Sequence, residues 1–342
     1  MNSEVSTPKQ TKSALNDQLR AIVILLRPHQ YYKNFLVFFG LFFSKNLFRI
    51  DLWLPIILAF ITLCLTSSLN YLINDFRDRE KDRHHPEKCK RPFPSGTISS
   101  LLGLIIAIFL VITIVLILII LPPSFIIPYE APKDIIEQGS VSTPSKTAFI
   151  LVLGGFFITS QVYSLFLKRI VFADTIMISV NYVWRAIAGA VLIYVDVSPW
   201  LIILCFITAM LLSLAKRKGD FVMLKEKASQ HKQVFDQYTP ELLDQSLATI
   251  TAIELLAIFI YLIDRHPNET VFIVLALPLF TFAIFRYLFL VSSDSIVGRR
   301  AERIFFDKQL LLVGIAIFFL FFIAIYFPNF LDDLLGIPDP QG

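Results

Sequence analysis

Between residues 72 and 96 the chain reads LINDFRDREKDRHHPEKCKRPFPSG. Asn74, Asp75, Asp78 and Asp82 stand at N-D-x-x-D-x-x-x-D spacing directly after an apolar run. A helix continued through residue 82 turns by about 100° per residue. With Asn74 at zero, Asp78 falls at about 40°, Asp82 at about 80° and Asp75 at about 100°. One amide and three carboxylates therefore share a face, while Arg77 and Lys81 point elsewhere. Clustered carboxylates repel one another and require countercharge. Hard oxygen ligands on one face suit Mg2+, which keeps some waters and bridges to phosphate oxygens. His84 and His85 have no second ligand pair in range and read as loop residues. A solvated loop neutralised by its own Lys and Arg is the plainer alternative, but it does not require this spacing.

A second polar set lies on residues 171–194. Asp174, Asn181 and Arg185 fall within about 20° of one line on an otherwise apolar helix. Arg185 then sits near mid-membrane, where an unpaired cation costs at least a few kcal/mol. It should face the bundle interior, with Glu254 as a candidate partner. Tyr163, Lys168 and Arg169 cluster at one end of the preceding span, and Lys33 and Asn34 open the first. These candidates converge on one membrane face.

The elements that must position them are helices in a bilayer. The chain has 342 residues, 56% hydrophobic and 17% charged, with a mean hydropathy of +0.68. Apolar runs near twenty residues recur along it, too long for strands, so the class is an all-α polytopic membrane protein. Nine spans are expected, at about 34–49, 53–73, 98–121, 148–167, 171–194, 199–215, 248–263, 270–290 and 309–328. Lys and Arg then divide 24 to 5 between the two sides, with Lys45 and Arg49 counted at the outer end of the first span and Arg185 and Arg286 left within spans. The positive-inside rule places the N-terminus, the charged loops and the active-site mouth in the cytoplasm. Residues 1–33 form a cytoplasmic tail, its first twenty read as disordered. Residues 34–328 form a single membrane domain, and 329–342 an outer C-terminal tail. The outer loop 122–147 is Pro- and Ser-rich, read as an irregular excursion. The cytoplasmic loop 216–247 carries Thr239-Pro240-Glu241, a helix start with Thr as N-cap. Cys64, Cys89 and Cys205 show neither a disulfide framework nor zinc spacing.

The Asn74–Asp82 pattern after an apolar helix resembles the first signature of the UbiA superfamily of intramembrane prenyltransferases. Within it the resemblance is to the decaprenyl-phosphate phosphoribosyltransferases. It is carried by RPHQYYKNFLVF (27–38), by the quoted stretch, by YSLFLKRIVFADTIMISVNYVWRAIAG (163–189), and by FRYLF (285–289) with RAERIFFDKQLLL (300–312). The resemblance implies a nine-transmembrane-helix UbiA-like bundle in the cell membrane. It also implies 5-phosphoribosyl 1-diphosphate as donor, a polyprenyl phosphate as acceptor, and Mg2+ on Asp75, Asp78 and Asp82, with Asn74 in the catalytic set. A homo-oligomer is allowed, and no nucleic-acid partner is expected.

Superfamily members that use a prenyl diphosphate carry a second Asp-rich motif after the sixth span. Here that place reads SLAKRKGDFVMLKE (213–226). Lys216, Arg217 and Lys218 stand where acids are expected, and Asp220 and Glu226 do not restore the pattern. Lys and Arg bind phosphate without metal, although a span end can also carry them as topology signals. The departure favours two phosphate-bearing substrates and one metal-binding face. The substrate-contacting set is then Lys33, Asn34, Tyr163, Lys168, Arg169, Asp174, Arg185, Lys216 and Arg217. Two alternatives stay open: prenyl transfer to an aromatic or lipid acceptor, and a non-enzymatic transporter or scaffold.

Overall fold

The structure, a computed structural model, describes residues 8–84, 88–121, 145–224, 237–293 and 306–336. Among them, eight helices are long and apolar enough to cross a bilayer. They are α3 (Trp53–Arg77), α5 (Ser100–Ile120), α6 (Ser145–Leu165) and α7 (Ala173–Leu192), then α8 (Pro199–Leu224), α9 (Pro240–Arg265), α10 (Thr270–Ser292) and α11 (Lys308–Tyr326). These correspond to the second through ninth expected spans. The chain is a multi-pass membrane protein of all-helical class.

The first expected span, 34–49, takes a different form. Helix α1 (Pro8–Leu26) stops at Arg27, whose backbone is left-handed at φ 53° and ψ 53°. A 3-10 helix follows over Pro28–Phe38, and then the short α2 (Phe39–Phe43). Pro28 accounts for the break, because its ring disfavours the α-conformation at Arg27 and its missing N–H is tolerated only at a helix start. A 3-10 helix rises about 2 Å per residue, so Pro28 to Phe43 still extends about 30 Å, matching the hydrocarbon thickness. Left-handed Lys45 (φ 61°) follows α2.

The expected disordered start is corrected from Pro8 onward, where the chain is helical; residues 1–7 lie outside the described residues. Ala21 and Leu25 bury against Leu69 and Leu72 of α3, with Phe93 and Leu110. The apolar half of α1 finds a partner, and packing overrides the polar composition that precedes it. The loop expected at 216–247 begins later, because α8 continues to Leu224. Its other end is as expected: Thr239 caps α9 by accepting from the Leu242 N–H at 3.1 Å. Most of the outer loop, residues 122–144, lies outside the described residues.

Two apolar clusters divide the bundle. One joins α8 to α11 through Leu214, Leu262, Phe272 and Phe321. The other joins the 3-10 segment, α3, α5, α6 and α7 through Val37, Leu63, Phe149 and Leu192. Helix α7 packs against both α6 and α8. Its buried polar residues Asp174, Thr175, Ser179, Asn181 and Arg185 run from its start to a little past its middle. Helix α5 turns Leu101, Leu104, Ile108 and Phe109 outward, as a lipid-facing helix does.

The 3-10 segment meets α7 backbone to backbone. A Cβ built on Gly189 would run into the Val37 carbonyl, and one on Gly40 would lie 3.0 Å from the Ala190 Cα. A Cβ on Gly154 would meet nothing within 4 Å. Overpacking costs about 1–3 kcal/mol, so Gly189→Ala should destabilise the detergent-solubilised protein by about that much, whereas Gly154→Ala, mid-helix with room for the methyl, should leave it unchanged or stabilise it by up to about 1 kcal/mol. Equal melting curves for the two variants would contradict this contact.

Candidate functional site

The helix expected to continue through residue 82 does so with a hitch at Asp78. Helix α3 ends at Arg77 and α4 covers Arg79–Arg83. Backbone bonds from the Asp78 N–H to Asn74 O (2.9 Å) and from the Asp82 N–H to Asp78 O (2.8 Å) carry the helical repeat across the junction. The angular reading resolves into two pairs. Asn74 and Asp78 face the end of α6: Ser164 donates to the Asn74 amide oxygen, and Lys168 donates to Asp78 at 2.7 Å. Asp75 and Asp82, at the larger angles, turn to the neighbouring side, toward Arg27 and Arg91.

Both of these carboxylates are buried, at 2% and 3% exposure. The Arg27 guanidinium reaches both Asp75 oxygens, at 2.8 and 2.7 Å, and lies over the Tyr71 ring at 4.7 Å. One Arg91 nitrogen, Nη1, donates to Asp75 Oδ1 at 3.0 Å and to Asp82 Oδ2 at 2.9 Å. Lys88 Nζ is 3.7 Å from Asp82 Oδ1. Burial pushes the Lys88 ammonium below its ordinary pKa, an effect Asp82 partly opposes. The countercharge expected of a metal is thus supplied here by the chain's own cations.

Sequence reasoning passed over Arg27, Lys88 and Arg91. A signal was present: both arginines precede a proline, at Arg27-Pro28 and Arg91-Pro92. An Arg-Pro pair at a break in helix turns the backbone and leaves a long cationic side chain beside the helix end.

The donor set suits Mg2+ in kind, three carboxylates and an amide oxygen. Two of those carboxylates are close enough for a single cationic nitrogen to touch both. Yet among the described residues no three His, Cys, Asp or Glu side chains converge tightly enough to hold a metal by themselves. A metal here would need further oxygens from a ligand.

Across the mouth, Arg217 is buried and donates through Nε to Asp174 Oδ2 at 2.6 Å. The Tyr238 hydroxyl donates to Asp174 Oδ1 at 3.0 Å and accepts from the Phe172 N–H at 2.9 Å. Burial foremost, then Asp174, pushes Tyr238 up to about 12, so the phenol stays protonated. Tyr163 faces Arg217 and Asp174. Lys218 pairs with Asp244 at 2.6 Å. Lys216 is exposed, as is Arg169. The basic triplet therefore splits: Arg217 ties α8 to α7, and Lys216 is left to solvent or ligand.

Arg185 does not pair with Glu254. Its Nε donates to Asn34 Oδ1 at 2.7 Å and its Nη1 to the Asn181 carbonyl at 2.6 Å. The guanidinium lies 4.6 Å from the Phe156 ring and 5.4 Å from that of Tyr182. Glu254 instead accepts from Thr208 at 2.5 Å, between α9 and α8. The broken first segment is the reason, since its 3-10 geometry delivers Asn34 to Arg185 first. Lys33 sits beside Asn34, about equally far from the Tyr32 and Tyr182 rings, at 5.8 and 6.0 Å.

A model of the UbiA prenyltransferase family matches residues 34–129. The decaprenyl-phosphate phosphoribosyltransferase of Corynebacterium glutamicum is 24% identical over 308 residues, covering 88% of this chain and 85% of the relative. Its namesake in Mycobacterium tuberculosis is 23% identical over 300 residues, covering 86% and 91%. Among solved structures, a UbiA homolog from Archaeoglobus fulgidus bound to GPP and Mg2+ superposes with a TM-score of 0.61 at 19% identity, over 90% of this chain and 99% of that one. By its fold, by the segment at 34–129 and by relatives aligned over most of its length, this chain resembles the UbiA superfamily of intramembrane prenyltransferases, and within it the decaprenyl-phosphate phosphoribosyltransferases.

Proposed function

We propose that the protein transfers a 5-phosphoribosyl group from 5-phosphoribosyl 1-diphosphate to a polyprenyl phosphate, at a mouth on the cytoplasmic side of the cell membrane. The observation that carries this reading is the basic turn of α8. Where a second acidic motif would help hold a prenyl diphosphate, Arg217 grips Asp174 and Lys216 is exposed. Such a wall suits a second phosphate better than a second metal. The phosphoribosyltransferase relatives, aligned over most of both chains, support the same choice.

In this reading a phosphate oxygen of the lipid attacks C1 of the ribose. The bond from C1 to the diphosphate breaks, and diphosphate leaves with the electron pair. The acceptor is already an oxyanion at neutral pH, so no general base is required. Mg2+ would supply charge neutralisation of the leaving diphosphate, with Asp75, Asp78 and Asp82 as its protein ligands. Arg27, Lys88, Arg91 and Lys168 surround those carboxylates and would meet the oxygens of a diphosphate brought there. A carboxylate near C1 would stabilise positive charge developing on the ribosyl centre. Asn74, fixed by Ser164, would orient donor oxygens. Arg185 is a buried cation whose two hydrogen bonds go to neutral groups. With Lys33, Asn34 and Tyr163 it would favour an anionic substrate on the inner side of the mouth. The apolar flanks of the bundle would take the polyprenyl tail.

The test is to offer nanodisc-embedded protein and Mg2+ either labelled phosphoribosyl diphosphate with a polyprenyl phosphate, or a prenyl diphosphate with aromatic acids. Label should enter the lipid phosphate in the first reaction. Product in the second reaction alone would replace this reading with prenyl transfer.

Two mutational outcomes follow. Asp75→Asn, Asp78→Asn and Asp82→Asn should each lower turnover by at least about 100-fold, the scale for removing one group that stabilises transition-state charge. Wild-type turnover in all three would remove these carboxylates from the chemistry. Lys216→Ala should raise KM for the lipid phosphate by about tenfold, the loss of one charge-assisted hydrogen bond. Lys218→Ala, already engaged with Asp244, should change it by less than about threefold. Equal effects would reduce the triplet to a topology signal.

A further inference from the structure

We propose that Arg91, assisted by Arg27, is an exchangeable countercharge for Asp75 and Asp82, so that the mouth takes up a divalent cation only together with a diphosphate. The proposal rests on reading this mouth as the diphosphate site. It does not depend on what the diphosphate is attached to.

Three features of the cluster lead there. First, its acids are already outnumbered by their own partners: Asp75, Asp78 and Asp82 are met by Arg27, Lys88, Arg91 and Lys168. An arriving free cation meets a mouth with one more positive charge than negative. Second, acids and bases are unequally held. The Asp75 and Asp82 side chains are 3% and 4% exposed, against 31% for Arg91. The acids are anchored on helices, and Arg91 sits on the connection that follows α4. Third, Arg91 Nη1 by itself contacts both buried carboxylates, at 3.0 and 2.9 Å, so it fills the space between them.

A cation that displaced Arg91 would strand a guanidinium without an anion. It would also find too few protein ligands, since no three acidic side chains converge among the described residues. Diphosphate removes both obstacles. Its oxygens complete the metal's coordination and give the released guanidinium a bidentate partner. Arg27 is the less mobile of the pair, held by both Asp75 oxygens and by the Tyr71 ring. Arg91 is therefore the residue that exchanges.

The experiment measures Mn2+ retained by full-length protein in nanodiscs, read by electron paramagnetic resonance, with and without inorganic diphosphate. For the wild type, diphosphate should tighten Mn2+ retention by at least about tenfold. Arg91→Gln should bind Mn2+ alone at least about tenfold more tightly than wild type, because one nearby positive charge is gone, and diphosphate, left only to complete the coordination, should add less than it adds to wild type. Arg91→Lys keeps the charge, guards against misfolding of the first variant, and should behave as wild type without diphosphate. Equal Mn2+ retention by wild type with and without diphosphate would overturn the proposal. So would unchanged Mn2+ binding in a folded Arg91→Gln, or Arg91→Lys binding Mn2+ alone as tightly as the Gln variant is expected to. A failure of the phosphoribosyl reading would appear in the transfer products and leave this result untouched.

Discussion

Asp75 is a charged carboxylate at 2% exposure, and a carboxylate so placed persists only when paired and hydrogen-bonded. Arg27 supplies two of its bonds and Arg91 a third. Those bonds pin three separate stretches to one point: the break between α1 and the 3-10 segment, the end of α3, and the connection after α4. Removing one partner of a buried pair costs about 3–5 kcal/mol, enough to hold Arg27 in its left-handed conformation. With residue 27 held, the 3-10 segment starts at a defined height. Asn34 then reaches Arg185, and Gly40 and Val37 lie against Ala190 and Gly189. The geometry of the mouth and the seating of the first segment are consequences of the same ion pair.

Helix α7 carries the polarity inward. At the mouth Asp174 joins Arg217 and Tyr238; further in, Asn181 accepts from Thr159 at 3.1 Å and Ser160 at 3.0 Å, and Arg185 bonds to neutral groups. Each of these would be costly facing lipid. They are tolerated because α7 lies between the two apolar halves of the bundle. The ladder runs from fully ion-paired at the mouth to a guanidinium held by an amide, a carbonyl and two aromatic rings. That gradient leaves positive charge in the interior, which fits the phosphate-bearing substrates proposed above.

Much of this was legible in the residues themselves. Apolar runs of span length declared themselves, because lipid demands about twenty such residues in a row. Thr239-Pro240 announced the start of α9 through cap chemistry that is local. The Asn74–Asp82 spacing survived as two adjacent pairs on neighbouring faces. What stayed hidden depended on partners distant in sequence. The preference of Arg185 for Asn34 over Glu254 follows from the 3-10 path of the first segment, which hydropathy cannot distinguish from an α-helix. The ordering of α1 follows from a surface on α3 and α5. The pairing of Arg217 with Asp174 spans 43 positions, and a basic triplet viewed alone gives each of its members the same role. Arg27 and Arg91 were in plain view but looked like ordinary loop cations, because burial of Asp75 and Asp82 is a tertiary fact.

The claim at the centre of this account is that one wall of the mouth acts through metal and the other through Lys and Arg alone. The most direct measurement is the affinity of nanodisc-embedded protein for phosphoribosyl diphosphate and for a polyprenyl phosphate, each with Mg2+ and with EDTA. The account predicts that chelation abolishes tight donor binding and leaves lipid-phosphate binding in place, weakened by salt because Lys216 is exposed. Loss of both on chelation would reveal a second metal and contradict it.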